Sequence, residues 1–427
     1  MAQDTIFALS SGRPPAAISV IRISGPRAQD AGRALVVDLP EARTAAVREL
    51  RHPQSGELLD EALLLRFDGP ASSTGEDVVE LHCHGGRAVV DAVLGALSGV
   101  ESLREALPGE FTRRAFENGR IDLTEAEGLA DLIEAETESQ RKAALALAEG
   151  GLKKHIELWQ ERVLALSARA ERAIDYSEED AADDTSELSS DCGALASELG
   201  EWLARPRMEI LKDGIRVVLA GPPNSGKSSL INAIAGQERA IVTDVPGTTR
   251  DHIEVPLALD GIPILLTDTA GIRNSADKIE AIGIDRARRL AAAADILIWM
   301  GEADDVPEHP LSILVRSKAD LSDTRRAAGD ALMVSAITGI GIRELLGRVS
   351  SLAKRLLPSE DALSLNRRQA AHILDAQAAL GSAAGAADLV LIAEDLRIVR
   401  SAFDRLTGKA AVEDVLDALF SRFCLGK

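Results

Sequence analysis

One eight-residue segment constrains the fold of this chain more than any other. Gly221-Pro-Pro-Asn-Ser-Gly-Lys-Ser228 fits the pattern G-x-x-x-x-G-K-[ST] and stands between a predicted strand at 215–220 and a predicted helix at 229–235. A glycine-rich turn between a strand and a helix surrounds phosphate oxygens with backbone N–H groups. Lys227 would neutralise the β and γ oxygens, and the Ser228 hydroxyl would hold Mg²⁺. The segment therefore predicts a nucleotide-binding α/β domain.

Strand-like and helical segments alternate after residue 215. The predicted strands are Ile215–Ala220, Ile262–Thr267, Asp295–Met300, Ser312–Arg316 and Leu332–Ser335. That order is typical of a mostly parallel sheet with helices on both faces. The segment from Gly301 to Leu311 contains two prolines and has no helical period, whereas a parallel crossover usually needs about a dozen residues. We therefore expect a helix to be missing or reduced there, with that face of the sheet less covered.

Further short motifs follow the later predicted strands. Asp268-Thr-Ala-Gly271 follows the second strand and supplies an aspartate for the Mg²⁺ side and a glycine for the γ-phosphate. Ser317-Lys-Ala-Asp320 and Ser335-Ala336 close successive strands, where a base pocket would lie. Thr248-Thr249 would complete the metal shell. Each motif alone is weak, but their order on strand ends resembles a GTPase domain of the translation-factor class.

Two positions depart from the usual GTPase pattern. Ile272 follows Asp-Thr-Ala-Gly and cannot orient a water, so the glutamine of Ras-like enzymes is absent. Ser317 stands where the base-recognition element Asn-Lys-x-Asp has asparagine. Asp320 should still accept the two guanine N–H donors. We therefore expect retained guanine selectivity with a weakened overall affinity.

The rest of the chain has an α+β pattern followed by helical patterns. From Thr5 to about Phe116, short β-rich runs alternate with turns, which predicts a small α+β domain. Two apolar stripes with helical spacing are Leu152, Ile156, Trp159, Val163, Leu166 and Ala170, and Ile392, Leu396, Val399, Phe403 and Leu406. Neither stripe can be buried alone, so the two helical halves should pack together around the inserted nucleotide domain. Asp175 to Asp191 is so acidic that we predict a solvated loop.

Composition limits the partners that the chain can bind. With 48 basic and 68 acidic residues the net charge is −20, which excludes nucleic-acid binding through bulk charge. The odd number of cysteines, Cys83, Cys192 and Cys424, argues against a disulfide framework. Neither a secretory signal nor an apolar stretch long enough to span a bilayer is visible. We expect a reduced, cytoplasmic protein.

Four segments outside the phosphate loop resemble the MnmE (TrmE) family of tRNA-modification GTPases. They are PGEFTRRAFENGRIDL at 108–123, AEGLADLI at 126–133, TDVPGTTRD at 243–251 and FCLGK at 423–427. The resemblance implies a homodimer with an N-terminal α+β folate-binding and dimerisation domain at 1–118. A helical domain at 119–212 and 357–427, which ends in the cysteine motif, would contain the inserted P-loop GTPase domain at 213–356.

The resemblance also implies a reaction and its participants. With a flavin-dependent MnmG-type partner, potassium-dependent GTP hydrolysis would accompany addition of an aminomethyl-type group at carbon 5 of the wobble uridine of certain tRNAs. A folate derivative of the 5-formyl- or methylene-tetrahydrofolate type would donate one carbon. Mg²⁺ would bind Ser228 and Thr249, and K⁺ would bind Asn224, Thr243, Val245 and Thr248. Glu280 matches the catalytic glutamate, and Cys424 is a candidate for the modification chemistry.

The motifs and the resemblance together predict two sets of binding residues. Folate would contact Arg22, Glu80, Arg120 and Lys427, of which Arg120 stands where the family often has lysine. GTP would contact Asn224, Ser225, Gly226, Lys227, Ser228, Ser229, Thr243, Asp244, Val245, Pro246, Gly247, Thr248, Thr249, Asp268, Thr269, Ala270, Gly271, Ser317, Lys318, Asp320, Ser335 and Ala336.

Structural explanations remain open for several of these residues. Asn224 suits a turn, Glu280 suits the start of a helix, and Arg22 and Glu80 suit the polar face of a strand. His82 and His84 share a strand face while Cys83 points away, and no second ligand cluster accompanies them, which disfavours a metal site. Two other functions also remain open, a ribosome-assembly GTPase switch and a folate-dependent one-carbon transferase regulated by GTP. The first would usually carry a Lys/Arg-rich run, which this sequence lacks.

Overall fold

The computed structural model divides the chain into two compact units, residues 1–130 with 403–427 and residues 131–402. The residues that it describes are 4–175, 181–237, 253–268, 290, 292–321, 331–357, 363–410, 412–423 and 426. Among these residues, none of the helices has both the length and the apolar character needed to cross a membrane. The four predicted domain boundaries are finer than the division into two units and stay predictions.

In the described part of the chain, two six-stranded sheets carry the fold. The strands are β1 (Thr5–Leu9), β2 (Ile18–Ser24), β3 (Ala46–Arg51), β4 (Leu58–Phe67), β5 (Val78–His84), β6 (Leu103–Glu105), β7 (Ile215–Ala220), β8 (Ile253–Leu259), β9 (Ile262–Asp268), β10 (Ile296–Trp299), β11 (Ser312–Arg316) and β12 (Leu332–Met333). The described helices are α1 (Ala28–Leu35), α2 (Arg87–Ser98), α3 (Glu110–Glu117), α4 (Leu123–Glu134), α5 (Glu138–Ala148), α6 (Gly151–Asp175), α7 (Ala181–Leu203), α8 (Glu209–Asp213), α9 (Lys227–Gln237), α10 (Ile342–Leu356), α11 (Arg367–Gly385), α12 (Leu389–Thr407) and α13 (Glu413–Phe420).

The sheet of the first unit has the order β3-β4-β5-β2-β1-β6, with only the β1–β6 pair parallel. Its buried face packs against α1 and α2, where Phe7, Ile21 and Leu81 form a core with Leu35 and Leu97. Side chains alternate between the two faces of a strand. Arg22 on β2 and Glu80 on β5 therefore project from the opposite face, and the predicted α+β domain is confirmed.

The sheet of the second unit has the order β12-β11-β10-β7-β9-β8, and every neighbouring pair except β8–β9 is parallel. The predicted strands are all present. The prediction omitted β8, which forms a hairpin with β9 through the two-residue turn Asp260-Gly261, with φ of +50° and +79°. An Asp-Gly pair between two strands is a strong hairpin signal. The described helices α9 and α10 cover one face of this sheet through residues such as Ile234 and Leu345.

The connection between β10 and β11 confirms the expectation of a reduced helix. From Gly301 to Leu311 its helical structure is one 3₁₀ turn at Ala303–Asp305. Polar contacts brace this short segment: the Trp299 indole donates to the Glu302 carbonyl, and Arg316 forms a 2.8 Å ion pair with Glu302.

The two helical halves pack together as predicted, and α7 contacts both α6 and α11. The prediction of a solvated loop from Asp175 to Asp191 is wrong for the described residues, because Asp175 ends α6 and α7 begins at Ala181. Residues 176–180 lie outside the described residues. Along α7 the chain buries one residue per turn, namely Leu188, Cys192, Leu195, Leu199 and Trp202. Acidic residues occupy the other face, where Asp191 bonds Arg169 of α6 at 2.5 Å. The acidic composition thus marks a solvated helix face.

We predict that Leu188→Ala lowers the free energy of unfolding by about 3 kcal/mol, because it removes a buried side chain and leaves a cavity. Leu188 is 1% exposed. The measurement is chemical denaturation, with exposed Ser190→Ala on the same helix as the control. Equal stability of Leu188→Ala and the wild type would contradict the packing of α7.

Candidate functional site

The phosphate loop lies between β7 and α9, as the motif predicts. Gly221 has φ +146°, and a Cβ atom there would lie 2.6 Å from the carbonyl oxygen of Met300, so only glycine allows this close approach. Asn224 and Gly226 have φ of +61° and +95°. The left-handed conformation of Asn224 is what the turn interpretation predicts, since asparagine tolerates it better than most residues.

Lys227 is nearly buried, and its ammonium group lies inside this loop. The Nζ atom donates to the carbonyl oxygens of Gly221 at 3.0 Å and Pro222 at 2.8 Å, and to Ser225 Oγ at 3.4 Å. These contacts hold a positive charge beside the start of α9, whose own dipole attracts anions. The arrangement suits a phosphate group.

Ser228 and Asp268 meet on the side of the loop where a metal is expected. Asp268 ends β9 and is fully buried, and its Oδ2 accepts a 2.6 Å hydrogen bond from Ser228 Oγ. A buried carboxylate is costly unless hydrogen bonds or a cation compensate its charge. Hydroxyl and carboxylate oxygens are ligands that Mg²⁺ prefers. Ser228 and Asp268 therefore fit Mg²⁺ as its protein-side residues.

The predicted base-recognition residues come together at the ends of β11 and β12. Ser335 Oγ donates to Asp320 Oδ1 at 2.5 Å and so fixes the carboxylate. The Ser317 side chain lies 3.7 Å from where a Cβ at Gly226 would be, so it borders the phosphate loop. Lys318 has φ +63°, and this left-handed conformation turns the chain between Ser317 and Asp320. This arrangement suits a base pocket beside the phosphate loop, which stays a prediction.

Two further predicted site residues, Ser229 and Ala336, belong to the described part of the chain. Ser229 is exposed in the first turn of α9, and Ala336 is half-buried beside Ser335. Outside the described residues lie Thr243, Asp244, Val245, Pro246, Gly247, Thr248, Thr249, Thr269, Ala270, Gly271, Ile272, Glu280, Cys424 and Lys427. Their roles stay predictions.

A polar row crosses the face of the first unit's sheet that is opposite to α1 and α2. Arg22 and Glu80 are cross-strand neighbours and form a 2.9 Å ion pair, and Arg22 also lies over the ring of Phe111 at 5.6 Å. The other Glu80 oxygen lies 3.3 Å from His82 Nε2. Sequence reasoning missed His82 as part of this row, although the two-residue alternation from Glu80 places it on the same face.

Arg120 is exposed and passes beside Gly75. Among the described residues, no hydrogen bond or ion pair joins Arg120 to Arg22 or Glu80. Its predicted place in the same site stays a prediction.

The histidines and cysteine of the His82-Cys83-His84 segment have separate environments. Cys83 is buried in the core on the opposite face, where burial raises the pKa of its thiol to about 12. His84 Nδ1 lies 2.8 Å from Asp60 Oδ1, and this contact raises the pKa of His84. Within the described part of the chain, no three His, Cys, Asp or Glu side chains are grouped to hold a metal ion.

Comparison with known proteins decides the family. The MnmE helical domain matches residues 123–424, and the N-terminus of the GTP-binding protein TrmE matches residues 5–120. The "tRNA modification GTPase MnmE" of Erythrobacter litoralis is 52% identical over 426 residues, covering 99% of this chain and all of that protein. The chain belongs to the MnmE family.

A second MnmE relative and two solved structures complete the comparison. The MnmE of Zymomonas mobilis is 50% identical, over 99% of this chain and all of that protein. The G domain of the T. maritima FeoB iron transporter is 24% identical and covers 33% of this chain and 98% of that one, with a TM-score of 0.24. Aquifex aeolicus Era is 23% identical and covers 38% of this chain and 66% of that one, with a TM-score of 0.25. Scores this low add nothing to the MnmE assignment.

We predict that Asp320→Asn shifts nucleotide preference from guanine towards xanthine, because an amide presents a donor where the carboxylate accepts. Ser317→Asn should tighten both GTP and GDP by about 1 kcal/mol, the contribution of one neutral hydrogen bond. Fluorescence titration of nucleotide affinity measures both effects. Ser335→Ala is the control, since it loosens Asp320 and should weaken GTP without changing base preference. Unchanged GTP affinity and selectivity in Asp320→Asn would contradict this base pocket.

Proposed function

We propose that this MnmE-family chain is a potassium-dependent GTPase that acts with a flavin-dependent MnmG-type partner on tRNA. The reaction would add an aminomethyl-type group at carbon 5 of the wobble uridine of certain tRNAs. The observation that carries the proposal is the assembled nucleotide site, in which Lys227 lies in the loop, Ser228 bonds Asp268, and Asp320 bonds Ser335. The MnmE relatives, which match the full chain, supply the link to tRNA modification.

The geometry supports hydrolysis by positioning and charge. Loop N–H groups and Lys227 would hold the β- and γ-phosphates, and Asp320 would select guanine. A Mg²⁺ ion at Ser228 and Asp268, with Thr249 as the family-based ligand, would neutralise charge on the phosphate oxygens. Because Ile272 cannot orient a water, we assign that role to Glu280. The potassium ligands would supply the charge that an arginine finger supplies in other GTPases.

The Arg22–Glu80–His82 row is the proposed folate site of the first unit. A guanidinium suits the carboxylates of a folate, and a carboxylate suits the amino and ring N–H donors of its pterin. In the chain itself, Arg22 and Glu80 satisfy each other. A folate derivative would exchange this ion pair for contacts of the same kind, which Arg120 and Lys427 would extend.

The same sheet face supports a homodimer. Ile18 on β2, Val47 on β3 and Leu63 on β4 are 60%, 54% and 36% exposed and project from the face that carries Arg22. Apolar side chains grouped on a sheet face favour burial against a partner. We propose that a second copy of the chain covers them.

The net charge of −20 bears on which protein makes the contacts with tRNA. Phosphate contacts provide most non-specific affinity for nucleic acids. We therefore propose that the MnmG-type partner makes most of the tRNA contacts and that the isolated chain binds tRNA weakly. Of the alternatives, the one-carbon transferase is contained in this proposal.

Mass spectrometry of wobble nucleosides tests the proposed function. In cells that lack this protein, wobble uridines should lose the aminomethyl-type group, and the wild-type gene should restore it. Lys227→Ala should fail to restore it, because the phosphate loop would lose its cation. Normal wobble nucleosides in the deleted cells would contradict the proposal.

We predict that K⁺ accelerates GTP hydrolysis at least about tenfold relative to Na⁺ at equal ionic strength, because it adds charge against the transition state. Asn224→Ala and Asn224→Gly should both lose most of this effect while keeping nucleotide binding. Glycine accepts the left-handed conformation of residue 224, so Asn224→Gly separates the cation role from the turn role. A K⁺ effect that survives in Asn224→Gly would return Asn224 to the turn interpretation.

We predict that Glu280→Ala slows GTP turnover about a hundredfold and changes GTP affinity little, which is the pattern of an interaction made mainly in the transition state. Single-turnover hydrolysis and nucleotide titration measure the two quantities. Asp285→Asn, in the helix that the sequence predicts from Glu280 to Arg289, is the matched control. Unchanged turnover in Glu280→Ala would leave Glu280 as a surface charge.

A further inference from the structure

One arginine joins helices α3 and α13 within the first unit. Arg113 Nε bonds Glu117 of its own helix at 2.9 Å, and its two terminal nitrogens bond Glu413 and, at 2.8 Å, Asp417. We call these four residues the Arg113 cluster. Glu413 and Asp417 are four residues apart, so they lie on one face of α13. A planar guanidinium that holds both carboxylates fixes the rotation of α13 about its own axis.

Close packing accompanies the Arg113 cluster. A Cβ atom at Gly109, which has φ +70°, would lie 2.2 Å from the carbonyl oxygen of Phe420, so the start of α3 needs glycine there. The rings of Phe116 and Phe420 lie 6.1 Å apart, and Leu416 and Leu419 are buried. Apolar burial therefore holds α13 against α3.

The chain that follows α13 reaches strand β1. Phe423 is buried, and Ser10 Oγ donates to the Gly426 carbonyl at 2.7 Å. Gly426 has φ +90°, and a Cβ atom there would lie 2.0 Å from the carbonyl oxygen of Leu9. Ala8, which precedes Leu9 on β1, is the cross-strand neighbour of Arg22. Gly426 thus lies beside the strand pair that carries the proposed folate site.

We propose that Arg113 is a positioning residue that sets the orientation of α13 and so places the segment after it, through Phe423 and Gly426, against β1. Its part in the reaction rests on the function proposed above, in which Lys427 of this segment would extend the folate site. The competing explanation is an ordinary surface ion pair, since Glu413 and Asp417 are mostly exposed and such pairs contribute little. The two explanations differ in what they predict for the segment after α13.

Arg113→Gln in the full chain tests this inference. We expect backbone amides of residues 413–423 to exchange hydrogen about tenfold faster and wobble-uridine modification in cells to fall about tenfold, since small misplacements of reacting groups are costly. The melting temperature and GTP hydrolysis should stay at their wild-type values. Glu117→Gln is the matched control, because it removes a carboxylate of the Arg113 cluster that does not belong to α13, and it should behave as the wild type.

Two further variants separate orientation from mere stability. Arg113→Lys should be intermediate, because an ammonium cannot hold two carboxylates in one plane. Arg113→Asp combined with Asp417→Arg rebuilds one ion pair and should recover part of the exchange protection. Wild-type exchange and modification in Arg113→Gln would overturn the inference, as would a lowered melting temperature together with an equal loss of GTP hydrolysis. If the wild-type gene itself restores no modification, the proposed function fails, and the exchange rates still test Arg113.

Discussion

The buried carboxylate of Asp268 is the constraint on which the nucleotide site depends. Parallel pairing of β7 with β9 sets Leu219 opposite Asp268, so the carboxyl ends of both strands reach the same sheet edge. The phosphate loop begins at that edge, and Ser228 at the start of α9 bonds the carboxylate. Sheet register thus brings a buried carboxylate, a hydroxyl and the phosphate loop together from segments 40 residues apart.

The nucleotide site and the proposed folate site hold their charged groups in the same way. In each of them, the charged side chains are paired with other groups of the protein. Lys227 bonds loop carbonyls, whereas Glu80 bridges Arg22 and His82. Such pairing preorganises the groups and lowers the entropy lost when a ligand replaces one partner. The Arg113 cluster extends this pattern to the placement of a helix.

Local patterns were sufficient to predict most helices and strands, because glycine-rich turns and apolar periodicity depend on residues that are close together in the sequence. The phosphate loop, the parallel strands and the stripe from Leu152 to Ala170 are of this kind. The loop prediction for the acidic stretch was wrong because it rested on average composition. Only one residue per helical turn is buried there, for example Leu188 and Cys192. The Glu80–His82 and Arg113–Asp417 contacts depend on which strands and helices become neighbours. Local sequence patterns do not specify which strands and helices become neighbours.

The most direct test of the nucleotide site is the Mg²⁺ dependence of GTP affinity in the wild type and in Asp268→Asn. The amide of the variant keeps the size of the carboxylate and an oxygen for Ser228, but it removes the charge that a divalent cation needs. The predicted result is that Mg²⁺ tightens GTP binding to the wild type and has little effect on the variant. An equal Mg²⁺ effect on both proteins would contradict the placement of the metal at Ser228 and Asp268.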